Sequence, residues 1–355
     1  MKATKKQLQE SLVEISKNYK NVNIFIDGMN HYIRSFSTTY GLVYSPKNKD
    51  ISGFYYSVKF LALFMKMIEK IFNKHNIQTH IVIEHGKSQI MKDIMNEYKS
   101  NRKYKQPITI EEEEKKEAFF DNLTLFIEFL KLLNPFIKIY NLKNVEGDFV
   151  IAYLYYNLKK ENTLNIIVST DKDFYQLLKY DDVIIINPYL NKIITAEKIN
   201  QFSKTEYITI DNFEIYKILI GDKSDNIKGI TGTKTAEKII KLLQATYPDE
   251  KITNIKKLID LTKEYIKENP KHYKILDKIV ENEEYLYKVN KIVNLSEKNV
   301  LDIIDSSNLS IIMSILKNND YINNYKNVMK FLEDLNVDTD LIFLVNNFLM
   351  YKRGV

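Results

Sequence analysis

Short apolar runs alternate with longer amphipathic segments over about the first two hundred residues of the chain. Each apolar run is four or five residues long, which is typical of a buried strand. The predicted strands cover residues 23–27, 80–84, 136–140, 165–168 and 183–186. Helical periodicity predicts helices over residues 5–20, about 53–75, 118–133 and 146–160, and another after Asp173. This alternation predicts an α/β fold, a mostly parallel central sheet with helices on both faces.

Beyond about residue 206 the pattern changes, because only helical periodicity remains. We therefore predict an α/β domain over residues 1–205 and an all-helical part over residues 206–355. No segment rich in proline, glycine or serine separates the two parts, so they are expected to pack together. The segment beyond about residue 300 has apolar residues at helical spacing, and we expect it to pack against the helical part without contributing a catalytic group.

The composition narrows the class of protein only a little. A chain of 355 residues with 45% apolar residues can bury one large core, or one core and a smaller companion. A formal net charge of +6 is compatible with a polyanionic partner but does not establish one. The absence of cysteine excludes disulfides and thiolate metal sites. Without a signal peptide or a membrane-spanning apolar run in the sequence, a soluble, cytoplasmic protein with no membrane contact is expected.

Acidic residues recur where the predicted strands end. They are Asp27, Glu84, Glu146, Asp148, Asp171 and Asp173, and the further pair Asp222 and Asp225 opens the helical part. Because the carboxyl ends of parallel strands lie along one edge of a sheet, this topology gathers distant acids in one crevice. Any one acid taken alone is more often a turn residue or a helix cap, and Asp171 could cap a helix beginning near Phe174. The repeated position at the same ends of the strands favours a shared site.

Eight carboxylates in one crevice cannot all stay ionised unaided, because like charges raise one another's pKa. Divalent cations resolve this repulsion, and oxygen ligands suit Mg²⁺, with Mn²⁺ as a substitute. Two such ions, roughly 3.5–4 Å apart, can clamp the attacking and leaving oxygens of a phosphodiester. No nucleotide-binding glycine loop and no nucleophile elbow is present in the sequence, so phosphate enzymes that need ATP are disfavoured.

Two basic segments are candidates for contacts with phosphate. The stretch 99–105 contains no acid, and its basic residues are Lys99, Arg102, Lys103 and Lys105. Arginine occurs elsewhere only at Arg34 and Arg353, so Arg102 indicates a need for the planar guanidinium. The second segment, 226–240, predicts a tight turn into a helix, with Lys228, Gly229, Gly232 and Lys234 able to contact a phosphate backbone. The alternatives are a solvated basic helix face and an ordinary helix–turn–helix contact within the core.

Five stretches of the sequence together resemble the 5′-nuclease superfamily of flap endonucleases, and are similar to phage 5′-exonucleases and phage RNase H. They are Ile24-Phe-Ile-Asp27-Gly, Glu97-Tyr-Lys-Ser-Asn-Arg-Lys103, Val145-Glu-Gly-Asp148, Ser169-Thr-Asp-Lys-Asp-Phe174 and Gly221-Asp-Lys-Ser-Asp-Asn-Ile-Lys-Gly229. They occur in the family's order and at its intervals, and the resemblance covers roughly residues 22–300. Any one of these motifs is weak, whereas the ordered set is strong.

The resemblance implies a PIN-like nuclease domain that cuts phosphodiesters with two metal ions. A helical arch over about residues 87–117 would stand above the ions, with Tyr98, Lys99 and Arg102 facing the scissile phosphate. Tyr98 could also stack on an unpaired base. In the helical part, a helix–turn–helix element would hold the duplex backbone without reading bases, and a monovalent cation at this element is a further candidate. The turn of this helix–turn–helix element is about two residues shorter than the corresponding turn in the family.

The same resemblance implies the substrates and partners. The expected substrate is DNA with a 5′ flap, a nick or a 5′ end, and an RNA–DNA hybrid is a further candidate, as in primer removal. A single-strand-binding or clamp protein is a candidate partner, and a monomer is expected. The chain would act in the cytoplasm, and a phage-encoded protein would act in that of the host.

Two positions depart from the family's pattern. The second strand ends in Glu84 where the family has aspartate, and Phe149 stands where bacterial members have a second acid. Both changes concern the same metal site, so an alternative interpretation is a structure-specific DNA-binding protein with weakened catalysis. A third interpretation, a small toxin-type RNase, lacks a counterpart for the helical part and for the basic arch.

Overall fold

The computed structural model of the chain describes residues 3–101, 109–133, 137–199, 208–318 and 324–352. Within these residues, six strands form one sheet in the order β3-β2-β1-β4-β5-β6. Their bounds are β1 Asn21–Asp27, β2 Asn76–His85, β3 Lys138–Lys143, β4 Thr163–Val168, β5 Val183–Asn187 and β6 Lys192–Ile194. The first five strands are parallel to their neighbours and β6 is antiparallel to β5, so the predicted mostly parallel sheet is confirmed.

Strand β1 lies at the centre of the sheet, and its residues are apolar on both faces because helices cover both. Phe25 pairs with His80 of β2 and with Ile167 of β4. Phe25 and Ile167 belong to the core on one face of the sheet, whereas Ile24 and Ile26 belong to the core on the other. This two-sided burial explains why the strands read as continuous apolar runs rather than as alternating ones.

Helices connect the strands of the α/β part. Their bounds are α1 Lys5–Ser16, α2 Gly28–Thr39, α3 Ser52–Ile71, α4 Gln89–Ile94, α5 Ile110–Leu133 and α6 Gly147–Leu158. The sequence pattern misses α2, which begins with glycine and is rich in serine and threonine, residues of low helix propensity. Asp27 caps this helix through its side chain. The helix predicted after Asp173 is a 3₁₀ helix, Asp173–Lys179, and the antiparallel strand β6 was not predicted.

The helical part starts with a helix, a short hairpin and a second helix. Its elements are α7 Phe213–Ile220, β7 Gly221–Asp222, β8 Ile227–Lys228, α8 Thr233–Thr246, α9 Ile255–Glu268, α10 Lys274–Glu281, α11 Glu283–Val293, α12 Glu297–Ile303, α13 Ser306–Lys317, α14 Tyr325–Asp334 and α15 Thr339–Lys352. Helices α7 to α13 share one apolar core with the Phe25 face of the sheet. No single described helix has the length and apolar character needed to span a membrane, and only the bent pair α12 and α13 reaches that composition when taken together.

The last two helices do not pack where the sequence analysis placed them. Helix α15 packs on α3, and α14 packs on α5, so both lie against the α/β part. Phe331 of α14 makes an edge contact with Phe54 of α3, at 5.9 Å between ring centres. The expectation that the segment beyond about residue 300 packs against the helical part is therefore wrong for α14 and α15, whose apolar residues join the core on the Ile24 face of the sheet. It holds for α13, which belongs to the core shared with the helical part.

Candidate metal centre

All eight acids selected from the sequence line one cavity of about 220 Å³. They are Asp27, Glu84, Glu146, Asp148, Asp171, Asp173, Asp222 and Asp225. The cavity lies at the carboxyl ends of β1, β2 and β4, and the loop after β7 closes it from the helical part. Tyr98, Lys99 and Gly147 line the same cavity. The fold thus gathers carboxylates that are up to about two hundred residues apart in sequence.

Local hydrogen bonds hold some of these acids in place. Asp27 accepts from the Asn30 backbone N–H at 3.0 Å through Oδ1 and from the Ser169 hydroxyl at 2.8 Å through Oδ2. Asp171 Oδ1 accepts from the backbone N–H of Asp173 at 2.9 Å. This bond closes a turn over residues 171–173 and does not cap the 3₁₀ helix, whose N-cap is Lys172 and has no side-chain hydrogen bond. The expected cap at Asp171 is therefore wrong, and Asp171 lines the cavity.

Two lysines from different elements pair with the acids: Lys99 lines the cavity, and Lys217 lines the space that adjoins it. The Lys99 ammonium forms an ion pair with Glu146 and lies 3.9 Å from Asp225 Oδ2. The Lys217 ammonium, from α7, forms an ion pair with Asp173 and lies 3.5 Å from Asp222 Oδ2. The side chain of each lysine is only 11% exposed. Sequence reasoning missed Lys217; the only signal was a lysine within the apolar helix segment 213–220.

The cavity disfavours the ionised form of three acids, first through burial and then through neighbouring carboxylates. Burial raises the pKa of Asp27 to about 6. Burial is the main cause, and the charge of Glu146 the second, of a rise in the pKa of Asp148 to about 8. Burial, followed by the charges of Asp27 and Glu146, raises the pKa of Glu84 well above its usual value. Asp222 behaves differently, since hydrogen bonds from Ser224 and the Lys217 charge outweigh its burial and lower its pKa.

The donor set fits divalent cations. Within the described residues, Glu84 Oε2 and Glu146 Oε1 are buried and have no hydrogen-bond partner. A buried carboxylate oxygen without a partner is costly unless a cation binds it, and oxygen is the ligand that Mg²⁺ prefers. In the described part of the chain, however, no three acids are close enough, as they stand, to coordinate one ion. Ammonium groups lie between pairs of acids instead, so binding of an ion requires side chains to rearrange.

The base of the predicted arch is fixed to the wall of this cavity. The Asn226 side-chain amide donates to the Glu97 carbonyl at 2.9 Å and to the Ser100 hydroxyl at 2.8 Å. The Lys99 backbone N–H donates to the Asp225 carbonyl at 2.8 Å, and Lys99 adopts the left-handed conformation with φ 51°. Arg102, Lys103 and Lys105, the other basic residues expected in the arch, lie outside the described residues.

Tyr98 occupies a different environment from the one expected. Its side chain belongs to the apolar core, and the residue is only 3% exposed. Its hydroxyl donates to Asp225 Oδ2 at 3.5 Å, and the Lys99 ammonium lies 5.1 Å from the centre of its ring. The ring therefore does not offer a surface on which an unpaired base could stack, and its contacts are with the acids and with Lys99.

The glycines of the helix–turn–helix element have different roles. Gly221, with φ 68°, and Gly229 pack back to back, and a Cβ on Gly229 would collide with the Ile220 carbonyl. Gly229 is therefore explained by packing within the protein. A Cβ on Gly232 would meet nothing within 4 Å, and Gly232 caps α8 without a side-chain hydrogen bond. The start of α8, followed by the exposed Lys234, is thus accessible to an anion.

A second cavity, of about 570 Å³, adjoins the acids on the side of Asp171 and Asp173. Its lining includes Arg34, Lys172 and Lys217, none of which the sequence analysis assigned to the site. The Arg34 guanidinium lies 5.4 Å from the centre of the Tyr189 ring, which orients it. The scarcity of arginine was the signal that could have selected Arg34.

The two departures from the family's pattern have simple structural consequences. The Glu84 carboxylate lies in the cavity with the other acids. Phe149 is 1% exposed and packs in the core that joins the sheet to the helical part. Phe149 therefore does not enter the cavity, and Asp148, whose Oδ1 accepts from the Phe149 N–H at 2.9 Å, remains the acid of this turn.

Comparisons with known proteins identify a matching family and similar sequences. The family described as 5′-3′ exonuclease, N-terminal resolvase-like domain, matches residues 23–207. A 5′-3′ exonuclease of Buchnera aphidicola subsp. Schizaphis graminum is 30% identical over 227 residues, which are 61% of this chain and 69% of that relative.

Two solved structures from phage T5 share the fold. A 5′-exonuclease with bound zinc ions has a TM-score of 0.66 and 22% identity, over 84% of this chain and 99% of that one. A flap endonuclease in a complex with DNA and metal ions has a TM-score of 0.65 and 20% identity, over 88% of this chain and 100% of that one.

Proposed function

Since the chain belongs to the 5′-3′ exonuclease family with a resolvase-like N-terminal domain, we propose that it is a magnesium-dependent, structure-specific 5′-nuclease acting near a 5′ end or flap junction. The observation that carries the proposal is the cavity of eight carboxylates at the carboxyl edge of the sheet. Two bound Mg²⁺ ions would supply an activated water and stabilise the leaving oxygen of the phosphodiester.

The acids divide into two sets by their positions. Asp27, Glu84, Glu146 and Asp148 would hold the first ion. Asp171, Asp173 and Asp225 would hold the second, with Asp222 close by or acting through water. Asp27 and Glu146 act on the pKa of Glu84, and Glu146 acts on that of Asp148. The charge of Asp171 also acts on Asp27 and Asp148, so the two sets adjoin each other. Mn²⁺ is expected to substitute for Mg²⁺ because it accepts the same oxygen ligands.

Lys99 and Lys217 balance the acids until cations replace them. Each ammonium contacts one acid from a different part of the chain, so a divalent ion with twice the charge can displace it. The displaced groups would remain beside the cavity, where the phosphate must lie. Lys99, together with Arg102, would then stabilise the charge that develops on the phosphoryl oxygens.

The helical part would hold the duplex beside the cavity. The accessible start of α8 at Gly232 suits a backbone phosphate, and Lys228 and Lys234 add positive charge on the same element. Lys103 and Lys105 would contact the unpaired strand. A monovalent cation at this element, a single-strand-binding or clamp partner, a monomeric state and a cytoplasmic location stay predictions, as does activity on an RNA–DNA hybrid.

A DNA-binding protein with weakened catalysis is the competing function. Glu84 and Phe149 motivated that alternative, but the Glu84 carboxylate lies among the other acids and Phe149 lies in the core. Neither residue removes an acid from the cavity, which favours a catalytic protein.

The test is cleavage of three 5′-labelled substrates, a flap, a nicked duplex and an RNA–DNA hybrid, each with Mg²⁺ and with EDTA. Mg²⁺-dependent products are expected with the parent chain, and Asp171→Asn should abolish them. Asp181→Asn, at an exposed aspartate remote from the cavity lining, is the matched control and should cleave normally. Tight binding of the flap without any cleavage would support the competing function.

A further inference from the structure

Gly147, the first residue of α6, lies directly against the carboxylate of Glu84. A Cβ atom built on Gly147 would lie 2.6 Å from Glu84 Oε2 and 3.1 Å from Glu84 Cδ. These distances are shorter than ordinary contacts, so the Glu84 carboxylate occupies space that any other residue at position 147 would fill. The described glycines with positive φ are Gly41, Gly86 and Gly221, and Gly147 is not among them. Space, rather than backbone conformation, therefore explains this glycine.

The position of Gly147 within the site makes this contact chemically significant. Gly147 lies between Glu146 and Asp148, and all three line the cavity with Glu84. Glu84 Oε2 is one of the buried oxygens that have no hydrogen-bond partner in the described part of the chain. The extra methylene of glutamate, relative to aspartate, carries this oxygen across the Cα of Gly147. A side chain at position 147 would thus act on an atom that is available to bind a cation.

We propose that Glu84 and Gly147 form a matched pair, in which the missing Cβ at position 147 lets the longer acid of β2 place its carboxylate for the first ion. Gly147 is therefore a positioning residue, which acts on the ion through Glu84. The inference rests on the proposed function, because it takes Asp27, Glu84, Glu146 and Asp148 as ligands of one ion.

If Glu84 and Gly147 form such a pair, a substitution at Gly147 should weaken metal binding without lowering the stability of the fold. An alanine methyl at position 147 would meet the far end of a flexible side chain, not backbone. The fold can accommodate the methyl by turning the Glu84 carboxylate away, and alanine favours a helix more than glycine does. Gly147→Ala should therefore fold as well as the parent chain but bind the ion more weakly. Aspartate at position 84 ends one methylene earlier and would clear the methyl, so it should compensate.

The experiment is calorimetric titration of the metal-free full chain with Mn²⁺, paired with thermal unfolding in EDTA. The variants are Glu84→Ala, Gly147→Ala, the double variant Gly147→Ala with Glu84→Ala, and the double variant Gly147→Ala with Glu84→Asp. The binding step that weakens in Glu84→Ala identifies the first ion. Gly147→Ala should weaken that same step by about tenfold or more, with an unchanged or raised melting temperature in EDTA.

The two double variants decide whether Gly147 acts through Glu84. In the Glu84→Ala background, adding Gly147→Ala should cause no further loss of Mn²⁺ affinity. With Glu84→Asp, most of the affinity lost in Gly147→Ala should return. The matched pair is overturned if Gly147→Ala binds Mn²⁺ as tightly as the parent chain. It is also overturned if Gly147→Ala causes the same loss of Mn²⁺ affinity in the Glu84→Ala background as in the parent. Neither result would contradict the proposed metal centre. If Glu84→Ala changes neither Mn²⁺ step, the proposed first ion site fails, and the pair fails with it.

Discussion

At the scale of single residues, two buried lysines determine the charge balance of the carboxylate cavity. Lys99 and Lys217 each contact an acid directly, and each side chain is 11% exposed. Sequence reasoning selected Lys99 because it belongs to a recognisable basic stretch. Lys217 has no such neighbours in sequence, and only the packing of α7 on the 3₁₀ helix Asp173–Lys179 brings it to Asp173. A site residue that lies in a recognisable motif, such as Lys99, could be predicted from the sequence. Lys217, which reaches the site only through tertiary packing, could not.

Replacing Lys217 with methionine should destabilise the metal-free protein, because Asp173 and Asp222 would lose their buried counter-charge. Breaking a buried pair in this way costs on the order of 3 kcal/mol. Denaturant unfolding in EDTA should show this loss, and Mg²⁺ should restore much of it by supplying positive charge. Lys263→Met is the control, since the Lys263 and Glu283 side chains are 45% and 35% exposed and solvent screens their pair, so its loss should change stability little. Equal losses in the two variants would show that Lys217 is not a counter-charge for the acids.

Glu214 lies on α7 outside the metal centre and offers a separate test of burial. Its burial raises its pKa to about 7, although Lys179 and a hydrogen bond from Asn294 oppose this. A carboxyl whose pKa is raised by folding costs no stability below pH 4.5 and destabilises the fold increasingly as the pH rises to 7. Glu214→Gln should therefore stabilise the chain above pH 7, by up to about 3 kcal/mol, and should be neutral near pH 4. If the difference in unfolding free energy between Glu214→Gln and the parent is the same at pH 4 and above pH 7, the pKa of Glu214 is not raised by folding.

At the scale of elements, the strands were predictable and the connections were less so. The runs at 23–27 and 165–168 are short, mostly apolar and buried on both faces of the sheet, which is the pattern of a central strand. Helix α2 was missed because a cap on Asp27 and tertiary packing stabilise it rather than intrinsic propensity. The course of α14 and α15 could not be predicted either, because an amphipathic helix does not specify which apolar surface it covers.

Lys99 and Lys234 lie on elements that should make different contributions to cleavage. Lys99→Ala should lose about a hundred- to a thousandfold in single-turnover rate, because it removes charge stabilisation at the phosphoryl oxygens, and should keep most of its DNA affinity. Lys234→Ala should lose affinity and flatten its salt dependence while cleaving normally once bound. Binding measured in Ca²⁺ and single-turnover cleavage at saturating enzyme separate the two effects. If Lys99→Ala loses affinity alone, the arch only binds the strand.

The contact between the arch base and the loop after β7 should keep Lys99 in place. Asn226 has φ 59° and donates to both Glu97 and Ser100, so Asn226→Gly removes these hydrogen bonds and keeps the backbone conformation. Hydrogen exchange of residues 97–101 should become faster, and single-turnover cleavage should slow, while binding of duplex DNA stays close to that of the parent. Unchanged exchange in these residues would mean that other contacts fix the arch base.

At the scale of the whole molecule, the sheet separates two cores that different parts of the chain complete. Helices α7 to α13 cover the Phe25 face, which also carries α6 and its acids. Helices α3 and α5 belong to the core on the Ile24 face, and α14 and α15 pack on these two helices. The metal centre is therefore positioned by both halves of the chain, although its acids come only from the first 225 residues.

Substitutions at Leu341 and Phe343 test whether α15 stabilises the fold without taking part in catalysis. Leu341 is fully buried, and Leu341→Ala should lower the free energy of unfolding by about 2–5 kcal/mol, because it leaves a cavity against α3. Phe343 is 62% exposed, so Phe343→Ala should have little effect. Cleavage per folded molecule should be unchanged in both, as measured by denaturant unfolding and single-turnover assays. A rate loss in Leu341→Ala with normal stability would give α15 a part in catalysis.

The position of α15 on the α/β part bears on the order in which a ribosome delivers the chain. Asp225, the last acid of the metal centre, emerges more than a hundred residues before Leu341 and Leu349, which complete the Ile24 face. A nascent chain can therefore display every metal ligand while the surface of α3 and α5 on which α14 and α15 pack is still exposed. Its apolar residues on α3 and α5 would be open to chaperones during this interval. Translation pauses within the stretch from 226 to 340 would prolong that exposure, whereas pauses before residue 160 would not.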